Sequence, residues 1–209
     1  MQKKIGIAAL SFAILLFLNA CGSGSGSASP NAISFSTTQV GAAYSFNLVG
    51  SDNAGGSYTG TRQHIVDGPT VFEGQNVVQK RVLVTLSGTT IATRSSTDTY
   101  YFNPNGTVYK IVFDSGVTAV LASIHGYPPF VRIGDSGAGN SFQESNGSSF
   151  SLPWQVVDGG NGNAKLVIST FVNGNQTSED SYVLDPSGNL LSITLVSFSN
   201  GVTRTLSTT

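Results

Sequence analysis

An all-β, antiparallel fold is predicted for this 209-residue chain by three observations. Apolar residues alternate along it instead of recurring at helical spacing. Turn pairs such as Ser87-Gly88, Asn105-Gly106, Asn173-Gly174 and Ser187-Gly188 punctuate the runs. The stretch DTYYFNPNGTVYKI, Asp98 to Ile111, returns 82 residues later as DSYVLDPSGNLLSI, Asp180 to Ile193. Composition agrees: charged residues are 10% of the chain, against a usual share of about 25%. Ser, Thr, Asn and Gly fill the gap, and long amphipathic helices need more Lys, Glu and Arg than this.

The elements follow in chain order. Lys3 and Lys4 precede a run of apolar and small residues from Ile5 to Leu18. That run is shorter than the ~20 residues needed to span a bilayer, so residues 1–20 read as an export signal. The signal ends in Leu18-Asn19-Ala20-Cys21, which resembles the lipobox of bacterial lipoproteins. The resemblance implies cleavage before Cys21, a thioether-linked diacylglycerol on its sulfur and an acyl group on its new amino terminus. Gly22, in place of an aspartate after the cysteine, implies sorting to the outer membrane. Cys21 is the only cysteine, and lipidation accounts for an odd cysteine in an exported chain. The rest of the protein must fold without a disulfide, and it is long enough to do so.

Residues 21–31 form the lipidated cysteine and a Gly/Ser tether, GSGSGSASPN, with a reach of roughly 15 Å by square-root scaling of a flexible coil. Residues 32–209 form a single β domain built from one repeat over 50–123 and a second over 134–208. Around the matched tyrosines Tyr100 and Tyr182, Asn103-Pro104-Asn105-Gly106 answers Asp185-Pro186-Ser187-Gly188. In each, Pro presets φ at the second position and Gly accepts φ > 0 at the last. Phe113-Asp114-Ser115-Gly116-Val117-Thr118 is echoed by Phe198-Ser199-Asn200-Gly201-Val202-Thr203, and Ala54 to Tyr58 by Ala138 to Phe142. Tyr109, Ile111 and Phe113 are expected on one core-facing side, as are Leu191, Ile193 and Leu195.

A period of this length exceeds the 20–50 residues of solenoid repeats. The expectation is two tandem repeats of about five short strands each, too thin to bury an apolar face alone, meeting around one core as a barrel or sandwich, with a half-barrel as the open variant. The bridge between them, Ser123 to Arg132, holds Pro128 and Pro129, which forbid a central strand.

Duplication separates structure from chemistry, since a structural device recurs in both copies whereas a catalytic residue often stands in one. Gly134-Asp135-Ser136-Gly137, with His64 and Asp98 upstream, has the chain order of a chymotrypsin-type triad. Ser136 nevertheless aligns with Asp52 in a repeated Gly-rich loop, and a triad is recognised by geometry, so no catalytic residue is assigned. Asp158 to Asn163 carries oxygen ligands at short spacing but occurs once, and a plain loop is favoured over a calcium site. His64 and His125 cannot make a closed zinc site without cysteine partners. Glu179 and Asp180 point to opposite sides of a strand, and Asp98 repeats Asp180; both aspartates read as solvated charge at a hairpin shoulder. The sequons at Asn105, Asn146 and Asn175 read as turns.

Without Lys3 and Lys4, eight basic residues face eleven acidic ones, a formal charge of −3 with no basic stripe. Nucleic-acid binding, which rests on phosphate neutralisation, is excluded on that ground. No metal or cofactor is implied. The best local sign of a binding surface is aromatic: Tyr127 and Phe130 in the bridge, and Trp154 in Leu152-Pro153-Trp154-Gln155.

The leading expectation is therefore a non-enzymatic outer-membrane lipoprotein, its membrane contact made through the anchor and its partner another envelope protein. The alternatives are a carrier of a lipid or other apolar ligand in a barrel-like cavity and, last, a hydrolase. A membrane-spanning barrel is disfavoured because its strands would be short and an anchor redundant.

Overall fold

The computed structural model describes residues 33–209, so Cys21 and the tether lie outside the described residues. Sixteen strands and one 3-10 turn, Thr38–Gly41, make up the regular structure there. The strands are β1 (Phe35–Ser36), β2 (Tyr44–Asp52), β3 (Ser57–Phe72), β4 (Gln75–Gly88), β5 (Ile91–Phe102), β6 (Val108–Val112), β7 (Thr118–Ser123) and β8 (Phe130–Val131). They continue with β9 (Ser136–Gly137), β10 (Ser141–Glu144), β11 (Ser149–Ser151), β12 (Trp154–Gly160), β13 (Asn163–Val172), β14 (Asn175–Leu184), β15 (Leu190–Ser199) and β16 (Val202–Thr208).

Twelve of these strands close a barrel in near-perfect chain order. From β2 through β7 each strand pairs with the next, β7 passes to β10, β10 to β11, β11 to β13, and β13 through β16 run on in sequence. The ring shuts where β16 meets β2, from Arg204↔Asp52 to Thr208↔Leu48. All pairings are antiparallel, as two-residue and short hairpin turns dictate.

The duplication is visible in four strands of each copy, β4–β7 against β13–β16. The matched turns are superposable in their bonding: Gly106 N donates to Asn103 O and Gly188 N to Asp185 O, both at 2.8 Å. Gly106 has φ 84° and Gly188 φ 83°. Both hairpins also carry a bulge at the same place, between Tyr101 and Phe102 in one ladder and between Val183 and Leu184 in the other. The extra residue turns Tyr109 and Leu191 outward, whereas Ile111, Phe113, Ile193 and Leu195 are buried as expected. Tyr109 and Leu191 are thus corrections to the face read from alternation, and their shared error shows that the bulge was duplicated with the hairpin.

The copies diverge elsewhere. Where the first has the unbroken 16-residue β3, the second has a strand interrupted at Leu152-Pro153, with β11 and β12 lying on the same edge of β13. Proline has no N–H for the ladder. Here the sheet forks: β11 turns to β10 and completes the barrel, while β12 takes the two-residue β9 as an outer edge. The five short strands expected per copy are replaced by long ones in the first and by this split arrangement in the second.

The bridge contributes only β8, which pairs with β1 in a separate two-stranded sheet. Thr37 holds this plug in place, its N–H donating to Pro129 O at 3.0 Å and its hydroxyl to Pro128 O at 2.8 Å. Phe35, Val40, Tyr127 and Val131 join the barrel's single apolar cluster. Outside, hydroxyl rows such as Thr85–Ser95 (3.1 Å) and Ser87–Thr93 (2.8 Å) cover the wall. Exposed aliphatics, Val49, Val66, Val71, Val120 and Leu191, stand among these hydroxyls.

Candidate functional site

The inward row of β3 places Arg62 and His64 in the barrel, and that of β14 places Ser178, Asp180 and Tyr182 there. Arg62 is 1% exposed and Asp180 3%. Arg62 Nη1 donates to Asp180 Oδ2 at 2.7 Å, its Nε to the Tyr44 hydroxyl at 3.1 Å and its Nη2 to the Tyr182 hydroxyl at 3.4 Å. Tyr182 in turn donates to Asp180 Oδ2 at 3.3 Å. Burial pushes the Asp180 carboxyl up to about 6, with Arg62 and the Tyr182 hydroxyl holding it from rising further. An isolated buried charge is very costly, and this geometry is what makes the pair tolerable.

Asp98 and Tyr100, the first-copy equivalents of Asp180 and Tyr182, are likewise buried. The expectation of solvated strand-end aspartates is corrected: both carboxylates share an inward face with a core tyrosine two residues on. Their tasks have diverged. Asp98 Oδ1 accepts the Asp114 N–H at 3.0 Å, and Asp114 Oδ1 accepts the Thr97 N–H at 3.1 Å, so the two carboxylates hold the end of the β5–β6 ladder.

His64 is 7% exposed, and its Nδ1 donates to the Ala42 carbonyl at 2.7 Å. Burial, with Lys80 and Arg62 nearby, lowers its pKa to about 4, so it is neutral at pH 7. It shares an inward row with Asp98, Val82 lying between them. Ser136 is exposed on β9. The three triad-ordered residues therefore do not meet, and the histidine nitrogen that a triad aspartate would orient is already bonded to the backbone.

Beside Asp180 is a narrow cleft bordered by Ser178, Leu195, Ser197, Arg204 and Leu206, with about 10 Å³ of internal space. That is room for about one water and not for an acyl chain. In the Asp158–Asn163 turn, the Asp158 carboxylate accepts the Gly160 N–H at 2.8 Å, as in an ordinary Asx-type turn. His125 Nδ1 is 3.0 Å from the Ser123 hydroxyl on the surface. Asn105 and Asn146 each accept the N–H two residues on, at 3.0 and 2.8 Å.

The aromatic trio separates. Tyr127 is 1% exposed, its hydroxyl donating to Leu152 O at 3.1 Å, and its ring lies 5.8 Å from that of Trp154. Trp154 packs over Gly137, where an added Cβ would come within 2.7 Å of the indole Nε1. Only Phe130 stands out, at 62% exposure. One exposed surface made of all three is thus not present: the fork at Pro153 folds Trp154 inward and gives Tyr127 a carbonyl to bind.

Sequence reasoning missed Arg62, whose inward phase was legible from its spacing to His64 and Tyr58 but whose partner is 118 residues away. It also missed Ile33 and Ile133, which are exposed. No family model, curated protein or solved structure matches this chain.

Proposed function

We propose that the chain is a lipid-anchored protein of the bacterial outer membrane whose barrel acts as a non-enzymatic structural or interaction module. The observation that carries this reading is the filled, charge-paired interior. Arg62, Asp180, Tyr182 and His64, the groups best suited to chemistry, face inward and are engaged with one another or with the backbone. Large side chains, among them Tyr100, Phe142, Phe150 and Leu166, are buried in the barrel, which favours a packed interior over a carrier's cavity. The hydroxyl-rich outer wall suits an aqueous compartment beside the membrane, with Cys21 as the hold on it.

Mass spectrometry of protein purified from a bacterial envelope tests both halves of the proposal. The mature chain is expected to begin at Cys21 with diacylglycerol and acyl groups attached, and Cys21→Ser protein to be soluble, natively folded and free of bound lipid. Wild-type protein free in the periplasm with an unmodified thiol refutes the anchor. A fatty acid or phospholipid retained non-covalently by the Cys21→Ser barrel makes it a carrier instead.

A further inference from the structure

We propose that Asn161 and Asn200 are sites of spontaneous conversion to isoaspartate, and that Asn173, in the same dipeptide and the same turn, is held out of the reaction. Five Asn-Gly pairs occur in the chain, and glycine, with no side chain, leaves its nitrogen open to the asparagine before it. Three of the pairs, Asn161-Gly162, Asn173-Gly174 and Asn200-Gly201, are two-residue hairpin loops closed by Gly160↔Asn163, Val172↔Asn175 and Ser199↔Val202. The asparagine φ values are 55°, 48° and 50° and the glycine values 78°, 81° and 76°, as in type I′ turns. All six residues are exposed. Apart from chain neighbours, nothing lies within 4 Å of where a Cβ would stand on any of the three glycines. Backbone and access are thus matched, and the side-chain amide is what differs.

In this reaction the glycine nitrogen attacks the asparagine Cγ. The N–Cγ bond forms, the Cγ–Nδ2 bond breaks, and ammonia leaves with the glycine's amide proton, giving a succinimide. Water then opens the ring at either carbonyl, leaving aspartate or isoaspartate with a new negative charge. Because Cγ must swing onto the glycine nitrogen, an amide bonded elsewhere resists by the hydrogen bonds it has to break. Asn173 is so bonded: its Oδ1 accepts the Ser149 N–H at 3.0 Å and its Nδ2 donates to the Ser148 hydroxyl at 3.4 Å. The Asn161 and Asn200 amides make no hydrogen bond among the described residues. Asn200 also stands beside the barrel seam. Asn53, in the β2–β3 turn, donates from Nδ2 to Gly201 O at 3.1 Å and accepts the Thr203 N–H at 3.0 Å. Isoaspartate inserts a carbon into the main chain just before Gly201 and so shifts the group that Asn53 holds.

Peptide mapping by mass spectrometry tests this on the full chain aged at mildly alkaline pH in heavy-oxygen water, so that each new carboxylate carries the label. A second sample is aged in guanidinium, where the turns are lost. Expected in the native sample is labelling of Asn161 and Asn200 at least several-fold faster than of Asn173, with isoaspartate identified by electron-transfer fragmentation. In guanidinium the three are expected to convert alike. Ser148→Ala, which removes one of the two bonds to the Asn173 amide, is expected to narrow the native difference. Native conversion of Asn173 as fast as that of Asn161 and Asn200 overturns the inference. So does a native sample in which Asn161 and Asn200 stay intact while the unfolded chain converts. Isoaspartate-200 protein is expected to exchange the amides of β16 faster than Asn200→Asp protein, which carries the charge without the extra carbon. Equal exchange overturns the effect on the seam.

Discussion

Arg62 and Asp180 meet at 2.7 Å inside the barrel, one from each copy of the duplication, with both side chains all but inaccessible to water. Burying an ion pair is weak evidence for stability, but removing one partner of it is severe. Asp180→Leu is expected to cost about 3–5 kcal/mol by leaving the Arg62 charge uncompensated. Arg62→Met combined with Asp180→Leu is expected to recover most of that loss. Urea midpoints of the Cys21→Ser protein check this, and an Asp180→Leu midpoint equal to that of the parent contradicts it.

His64 and Asp180 oppose one another in pH dependence. Asp180 rises from 3.8 to about 6 on folding, so its contribution is fully present below pH 3.8 and is lost as pH climbs to about 6. His64 falls from 6.5 to about 4, so its contribution is fully present above pH 6.5 and is lost as pH drops toward 4. Each is worth on the order of 3 kcal/mol at about 1.4 kcal/mol per pKa unit. Between pH 4 and 6 the two slopes cancel, and stability is expected to be nearly flat. His64→Gln should unmask the carboxyl and make the protein more stable at pH 4 than at pH 6. Denaturant titrations at several pH values read the sign; a His64→Gln protein that gains stability from pH 4 to 6 contradicts the assignment.

Gly106 and Gly188 share φ near +84°, a backbone region that β-branched residues avoid. Valine at either is expected to cost about 1 kcal/mol or more. At Gly188 the loss should be larger, since a Cβ there would lie 2.5 Å from that of Ser36. Equal midpoints for the two variants would place the β1 segment elsewhere.

The three bridge and fork aromatics should sort by burial. Tyr127→Ala and Trp154→Ala are expected to cost about 3–5 kcal/mol, the usual toll of emptying a core aromatic site. Phe130→Ala should stay within about 0.5 kcal/mol, as exposed substitutions do. Thermal melts of the three variants measure this, and a destabilised Phe130→Ala protein would return Phe130 to the core.

How far the sequence could be read depended on the range of the interaction. The matched turns were legible because Pro and Gly act within four residues, and the inward faces of Ile111 and Ile193 because alternation is local. The outward swing of Tyr109 and Leu191 was not, because a bulge shifts register without leaving a composition mark. Asp98 and Asp180 looked solvated by residue type, although their two-residue spacing to Tyr100 and Tyr182 already put them on the core face. Barrel closure was open between alternatives because it depends on β16 meeting β2 and β7 meeting β10, contacts that no local pattern encodes. Tyr127 and Trp154 misled for a related reason: the fork at Pro153 that buries the tryptophan is a break in a ladder with β13, not a property of the tetrapeptide around it.

Native-state hydrogen exchange of Cys21→Ser protein, followed peptide by peptide, tests most directly that the two copies close into one filled barrel. Amides of β4 and β5 in the first copy and of β13 and β14 in the second are expected to share a single, highest opening free energy, because neither apolar face is covered until the ring is shut. Two separate plateaus, one for each copy, or rapid exchange along the inward strands, would contradict a common packed core.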